Sequence, residues 1–354
     1  MEHKMGHFGL ADFYAERRHS KYPNFLDAVE QLLNWSRIER KLKKKLRRSE
    51  ENCVGVKAYP ALCMFKILLL QSWYDLSDLD MEIALYDRYS FSRFVGISLE
   101  EEVPDHTTIC RFRNLLAEKK LLQKLLREVN GQLAVQGKLI KSGCVVDAMI
   151  ISSAARPRKQ VDVEMVAVDR EEDADSDENT VTVSYSKDVD AAWTRKGSHY
   201  YYGYKGHMAV DADKGFILTG HVTAANCADT TEMKRLVRTA RLPKKSRVYA
   251  DKGFCSQSNR DELRKQKLKN GIMDKATRGH KLTDRRKQRN RLISAVRGIV
   301  ERGFGTLKRC YGQHRAKYLG VIKVEAAFLL AALAFNLKKA VLLSIKKTTF
   351  LSPT

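Results

Sequence analysis

The chain changes its hydrophobic period near Lys141, and that change limits what it can fold into. Before it, apolar residues recur at helical spacing, as with Phe25, Val29, Leu32, Leu33, Trp35 and Ile38 inside 25–46. Pro60 then opens the dense run Ala61-Leu-Cys-Met-Phe-Lys-Ile-Leu-Leu-Leu-Gln-Ser-Trp-Tyr74, and a proline at a first helical position marks a helix start. Leu76, Leu79, Ile83 and Leu85 give 75–86 an apolar side. After the change, Cys144-Val-Val-Asp-Ala-Met-Ile-Ile151 is short, apolar and rich in β-branched residues, which reads as a buried strand.

Beyond that strand the pattern alternates. Tyr200 to Asp211 and Phe216 to Thr223, joined at Asp213-Lys-Gly215, read as an antiparallel hairpin. A helix over 230–242, a strand at Arg247-Val-Tyr-Ala, a helix over 257–268, a strand near 271–273, a basic helix and a last apolar helix over 324–343 complete the pattern. The expected fold is α/β: a mixed sheet with helices packed on it, behind an all-helical N-terminal domain. The expected boundaries are a tail at 1–20, a helical domain at 21–138, an α/β domain at 139–345 and a tail at 346–354. Residues 152–198, polar and poor in periodicity, read as a mobile insertion.

Charge points to the partner. The chain of 354 residues carries a formal +23. Residues 161–190 hold eleven acids and two bases, a net of −9, so the rest carries +32. From Arg278 to Lys317 there are thirteen Lys/Arg and two acids. Such a field suits a polyanion, and its binding through phosphates would depend steeply on salt. Double-stranded DNA is the expected partner. A contact surface is expected in Val103-Pro-Asp-His-Thr-Thr-Ile-Cys-Arg-Phe-Arg113, where Asp105 fits an N-cap. Thr107, Arg111 and Arg113 would then face DNA from a helix-turn-helix-like segment near 103–116. The basic cluster at 40–48 reads equally as a solvated helix end or a phosphate contact. Seven scattered cysteines without a C-x-x-C pair fit reduced thiols in a cytoplasmic protein and argue against a zinc site. The N-terminus is too polar for a secretory leader. The apolar run from Ala326 is interrupted by Asn336, Lys338 and Lys339, so a core helix, and no membrane partner, is expected.

Three carboxylates stand out against this background. Asp147 interrupts the apolar strand, where a charge is costly unless it is paired or bound to a cation. Asp251 ends a second strand. Glu301 is the only acid between Arg285 and Val324, on a helix whose Arg297 and Lys308 share its face. Separately these read as turn chemistry or ion pairing; together they have the wiring of a two-metal phosphoryl-transfer site. Asp211 reads as a hairpin-end turn residue, Asp229 as a helix N-cap, and His207 and His221 as sheet-surface residues. Lys252, beside Asp251, is a further candidate for DNA contact.

Val146-Asp147-Ala148, Tyr204-Lys-Gly-His-Met-Ala-Val-Asp211, Ala250-Asp251-Lys-Gly-Phe254 and Arg297-x3-Glu301-x6-Lys308, in that order, resemble the DDE transposases of bacterial insertion sequences, family five and its relatives in family four. The segment Pro104 to Arg113 is similar to the one preceding the catalytic domain in that family. The resemblance implies an RNase H-like catalytic domain and an N-terminal DNA-binding domain. It implies cleavage at terminal inverted repeats and strand transfer into target DNA, by a homodimer, with two Mg²⁺ ions or Mn²⁺ in their place. Asp147, Asp251 and Glu301 would be the metal-binding triad, with Arg297 and Lys308 on the DNA. Where relatives often carry a Tyr three residues before the Arg of this signature, Ser294 stands here. Two other readings remain: another RNase H-like nuclease such as a resolvase, and a catalytically inactive DNA-binding repressor, against which the intact triad argues.

Overall fold

The computed structural model of the chain describes residues 9–19, 24–46, 58–155, 157, 162–166, 180–184, 186–276 and 281–349. Helices come first: α1 (Leu10–His19), α2 (Phe25–Leu32), α3 (Trp35–Leu46), α4 (Ala61–Tyr74), α5 (Asp78–Asp87), α6 (Tyr89–Val95), α7 (His106–Glu118) and α8 (Leu122–Val135). Strands β1 (Gly143–Ser152), β2 (Asp162–Val166), β3 (Thr180–Ser184), β4 (Ala192–Lys196), β5 (His199–Asp211) and β6 (Ile217–Ala224) come next. The chain closes with α9 (Asp229–Ala240), β7 (Arg247–Ala250), α10 (Gln257–Lys265), β8 (Lys269–Ile272), α11 (Asp284–Cys310) and α12 (Val321–Thr349).

The main sheet has the order β4-β5-β1-β7-β8, with β6 also paired to β5. β5 is long enough to pair β4 through residues 199–203 and β6 from Tyr204 onward, so both lie along its outer edge. β1 is antiparallel to β5 and parallel to β7, and β7 is parallel to β8. The sheet is therefore mixed, as expected. Strand alternation puts Asp147, Met208 and Gly220 on one face and Ala148, His207 and His221 on the other. α11 and α12 pack on the first face and α9 on the second.

α12 joins the two halves. It packs against α2, α4, α7 and α8 and also against β5 and β6. Phe328, fully buried, lies against Gly206 and Gly220; a Cβ at Gly220 would come within 2.6 Å of its ring, so only glycine admits the helix this closely. Asn336, which interrupted the apolar run in the sequence, is fully buried. It accepts from the Ile217 amide (2.9 Å) and donates to the Ile217 carbonyl (2.8 Å) and to Asn130 (2.8 Å). One contiguous hydrophobic core runs from Leu26 to Val341. The boundary drawn near 138 is thus a change of secondary structure, with no break in the packing.

Several expectations need correction. The helix expected over 25–46 is broken at Asn34, whose backbone N–H and C=O are both held by Gln132. Within the expected 1–20 tail, whose other reading is a short first helix, Leu10–His19 form that helix, and buried Asp12 accepts from Ser98 Oγ (2.6 Å) and the Leu99 amide (3.2 Å). On α5 the buried side is Met81, Ala84 and Leu85, whereas Leu79 and Ile83 are exposed. α9 begins at Asp229 itself, with Ala228 at the N-cap. Within the insertion 152–198, β4 joins the main sheet, and Asp188, only 1% exposed, accepts from Tyr204, Ser153 and the Gly320 amide. Elsewhere in the insertion, β2 and β3 pair antiparallel as a two-stranded sheet, and 156, 158–161, 167–179 and 185 lie outside the described residues.

The two histidines are core residues, not surface ones. His207 and His221 stack 5.1 Å apart, His207 against Thr223 (2.9 Å) and His221 against Glu232 (2.8 Å). Burial pushes both down to about 4.

Asn336→Ala leaves the Ile217 amide and Asn130 Oδ1 without their partner, while the Ile217 carbonyl still accepts from the Asn130 side-chain amide (2.9 Å), and should cost about 3 kcal/mol in denaturant unfolding. The histidine pair makes stability depend on pH. Unfolded histidines take up protons near pH 6.5 and the folded pair only near 4, so the unfolded state binds more protons in between. Stability should therefore fall as pH drops from about 6.5 to about 4, and His207→Leu should flatten that slope in denaturation midpoints.

Candidate active site

The parallel register of β1 and β7 sets Val146 opposite Ala250, so the next residues along, Asp147 and Asp251, stand side by side. β7 ends there because the Asp251 carboxylate turns the chain: its Oδ1 accepts from the Gly253 amide and caps the 3-10 turn Lys252–Phe254. Asp147 stays within its strand with its side chain 18% exposed. Its Oδ1 accepts from the Ala148 amide (2.9 Å) and its Oδ2 from the Arg297 guanidinium (2.7 Å). Burial pushes the Asp147 carboxyl up. The Arg297 charge opposes that rise, and the neighbouring Asp251 adds to it.

Arg297 comes from α11, which Thr283 caps at the Arg286 amide (3.4 Å). The buried stripe of α11 is Ile293, Val300, Phe304 and Leu307, and Gly303 lets it rest on Met208. At about 100° per residue, Arg297 lies roughly 20° beyond Phe304, beside the stripe, and Glu301 roughly 60° beyond it, towards solvent. Arg297 is half-buried against Asp147, with its Nε making no hydrogen bond among the described residues. Glu301 is exposed one turn further on. Lys308 is half-buried, and burial and the nearby Lys196 both pull its pKa down.

Two carboxylates side by side, one of them buried, form a donor set of hard oxygens that fits a divalent cation such as Mg²⁺. The Arg297 guanidinium holds the position of positive charge beside Asp147. As they stand, no three His, Cys, Asp or Glu side chains among the described residues are close enough to hold a metal ion. Glu301 is exposed on α11 and is not grouped with Asp147 and Asp251 in this arrangement.

The expected DNA contacts divide. Arg297 faces Asp147, not the surface. Arg113 is 4% exposed, is held by Asp78 and Gln71, and lies 4.9 Å from the Tyr318 ring centroid, so its guanidinium is committed inside the fold. Thr107, Arg111 and Lys252 are exposed. Asp105 caps α7 by accepting from the Thr108 amide (2.6 Å). However, residues 96–105 separate α6 from α7, longer than the three- or four-residue turn of a helix-turn-helix. Asp211 sits at the opposite end of β1, beside Cys144, and accepts from the Lys214 amide (2.7 Å) as a turn residue. Sequence reasoning missed Arg297 as the partner of Asp147; its place four residues before Glu301 was the available signal.

Residues 157–337 match the family model for the transposase DDE domain, and residues 13–115 a model described as a transposase domain (DUF772). The chain therefore belongs to the DDE transposases of bacterial insertion sequences. It is 40% identical over 232 residues to the transposase for insertion sequence element IS1106 of Neisseria meningitidis serogroup B, covering 65% of this chain and 76% of that one. The DDE-domain match includes Asp251 and Glu301 and begins beyond Asp147. Among solved structures, the piggyBac transposase synaptic complex with hairpin DNA is similar with a TM-score of 0.40 at 11% identity, over 94% of this chain and 82% of that one. The Mos1 transposase paired-end complex with left transposon end scores 0.21 at 8% identity, over 84% and 100%. Scores this low establish no shared fold.

Arg297→Met removes the cation beside Asp147 and leaves its burial unopposed. The Asp147 carboxyl should then titrate higher than in the wild type, as followed by carboxyl carbon NMR across acidic pH.

Proposed function

We propose that this transposase binds the terminal inverted repeats of its insertion sequence, cleaves the DNA there and joins the ends to target DNA. The observation that carries this reading is the parallel register that sets Asp147 beside Asp251, with the Glu301 helix packed against both strands. Asp147, Asp251 and Glu301 would hold two Mg²⁺ ions, or Mn²⁺. When bound, the pair supplies Lewis-acid stabilisation of the attacking and leaving oxygens in an in-line displacement.

The chain's own residues would then act as follows. Asp147 would exchange its Arg297 partner for an ion, which frees the Arg297 guanidinium for a phosphate oxygen beside the carboxylates. Lys308, with its charge already disfavoured by burial, gains from an adjacent phosphate. Lys252, exposed next to Asp251, is placed for the same strand. Thr107 and Arg111, on the outer side of α7, would contact the duplex from the helical half. The mixed sheet with helices on both faces supports an RNase H-like catalytic unit behind a helical DNA-binding unit. The protein would work as a cytoplasmic homodimer, one subunit for each inverted-repeat end.

The test is cleavage of a labelled duplex carrying the element end. Wild-type protein with Mg²⁺ should nick it at a fixed position. Asp147→Asn and Asp251→Asn should lower the rate by about 10³-fold or more, the scale of several kcal/mol of lost transition-state stabilisation. Duplex affinity, measured on the same samples, should stay within a few fold. Cutting by either variant at the wild-type rate would sink the triad assignment.

A further inference from the structure

The two ends of the sheet differ in charge. β1, β7 and β8 are parallel, with Gly143, Arg247 and Lys269 at matching positions where the strands begin. Asp147 and Asp251 lie towards the other end. The segments leading into these strands carry cations: Lys141 before β1, Arg241, Lys244 and Lys245 before β7, and Lys267 before β8. Hydrogen bonds tie them into one edge. The Lys245 amide donates to the Lys267 carbonyl (2.8 Å), the Lys269 amide to the Ser246 carbonyl (2.8 Å), and Ser246 Oγ to the Lys141 carbonyl (3.2 Å).

α8 brings Arg127 to the same place. Burial first, and then the mutual repulsion of Arg127, Lys141 and Arg241, disfavours the charge on Arg127 and Lys141. None of Arg127, Lys141, Arg241, Lys245, Arg247 and Lys267 has an ion-pair partner among the described residues. Asp213, in the β5–β6 turn that meets Gly143, is an exposed acid on this edge and does not offset so many cations. The backbone adds an independent observation. Arg241, Lys245 and Lys267 sit at φ of 50, 68 and 57°, the left-handed region that glycine adopts at no steric cost. Three strained turns thus carry cations where glycine would relieve the strain.

We propose that this edge is a second DNA-docking face, which holds the phosphate backbone of duplex DNA at the end of the sheet opposite Asp147 and Asp251. The proposal rests on the reading of the chain as a DNA-cleaving transposase. Lys141 and Asp147 are separated by about 20 Å of strand, or about six base-pair steps of duplex. The phosphates held here are therefore not the ones being cut. An edge of turns presenting Lys and Arg positions a duplex through its backbone and does not read its bases.

The test uses the full chain and the variant Lys244→Gln/Lys245→Gly/Lys267→Gly, which removes three charges while easing two strained turns. Its thermal midpoint should not fall. Duplex binding should weaken on the order of 10²-fold near 0.1 M salt, and the slope of log affinity against log salt should flatten by about 0.9 for each phosphate the variant no longer neutralises. Asp147→Asn should keep the wild-type slope, which separates this face from the carboxylate site. A variant with wild-type affinity and slope overturns the proposal, as does one that loses binding to phosphatidylglycerol vesicles but not to duplex. Wild-type protein that binds no duplex at all would overturn the transposase mechanism as well.

Discussion

The structure depends on the burial of α12. A helix of this length and apolarity could cross a membrane on composition alone, yet 72% of its most apolar window is buried inside the protein. It reaches that state because Gly206 and Gly220 leave room for Phe328 on the sheet, and because Asn336 satisfies the backbone at Ile217 while holding Asn130 on α8. A buried amide with every partner in place fixes one register of helix against sheet, where apolar contacts alone would tolerate sliding. Helices from the first third of the chain and strands from its middle become one body through this last helix.

That body sets the conditions for the chemistry. The strand that carries Asp147 is held between β5 and β7, which keeps the carboxylate largely withdrawn from solvent. A buried carboxylate requires positive charge nearby. Arg297 meets the requirement in the protein alone, and the proposed ions would meet it during catalysis. The same burial that raises the Asp147 carboxyl would make the site favour a divalent cation over water, and a packed α11 would bring that cation close to Glu301.

Charge differs between the two ends of the parallel strands. The carboxylates lie towards the ends of the parallel strands and unpaired cations where they begin. A polyanion long enough to span both ends would meet the paired carboxylates Asp147 and Asp251 at one of them, where metal would neutralise the repulsion.

The order of elements outside the insertion 152–198, the hairpin and the cap at Asp105 were legible in the sequence, because hydrophobic period and turn residues are local signals. Residues whose role depends on packing were not. Arg113 and Arg297 have the composition of surface cations, and only the tertiary structure turned one onto Asp78 and the other onto Asp147. Leu79 and Ile83 follow a helical period as well as Met81 and Leu85 do, and which side faces inward was decided by the neighbouring helices. The sequence by itself determined an α/β chain with a cationic surface and three isolated acids. Only the tertiary structure decided that two of those acids adjoin while Glu301 is exposed on its helix, since adjacency across strands comes from register, and register comes from the packing of the whole core.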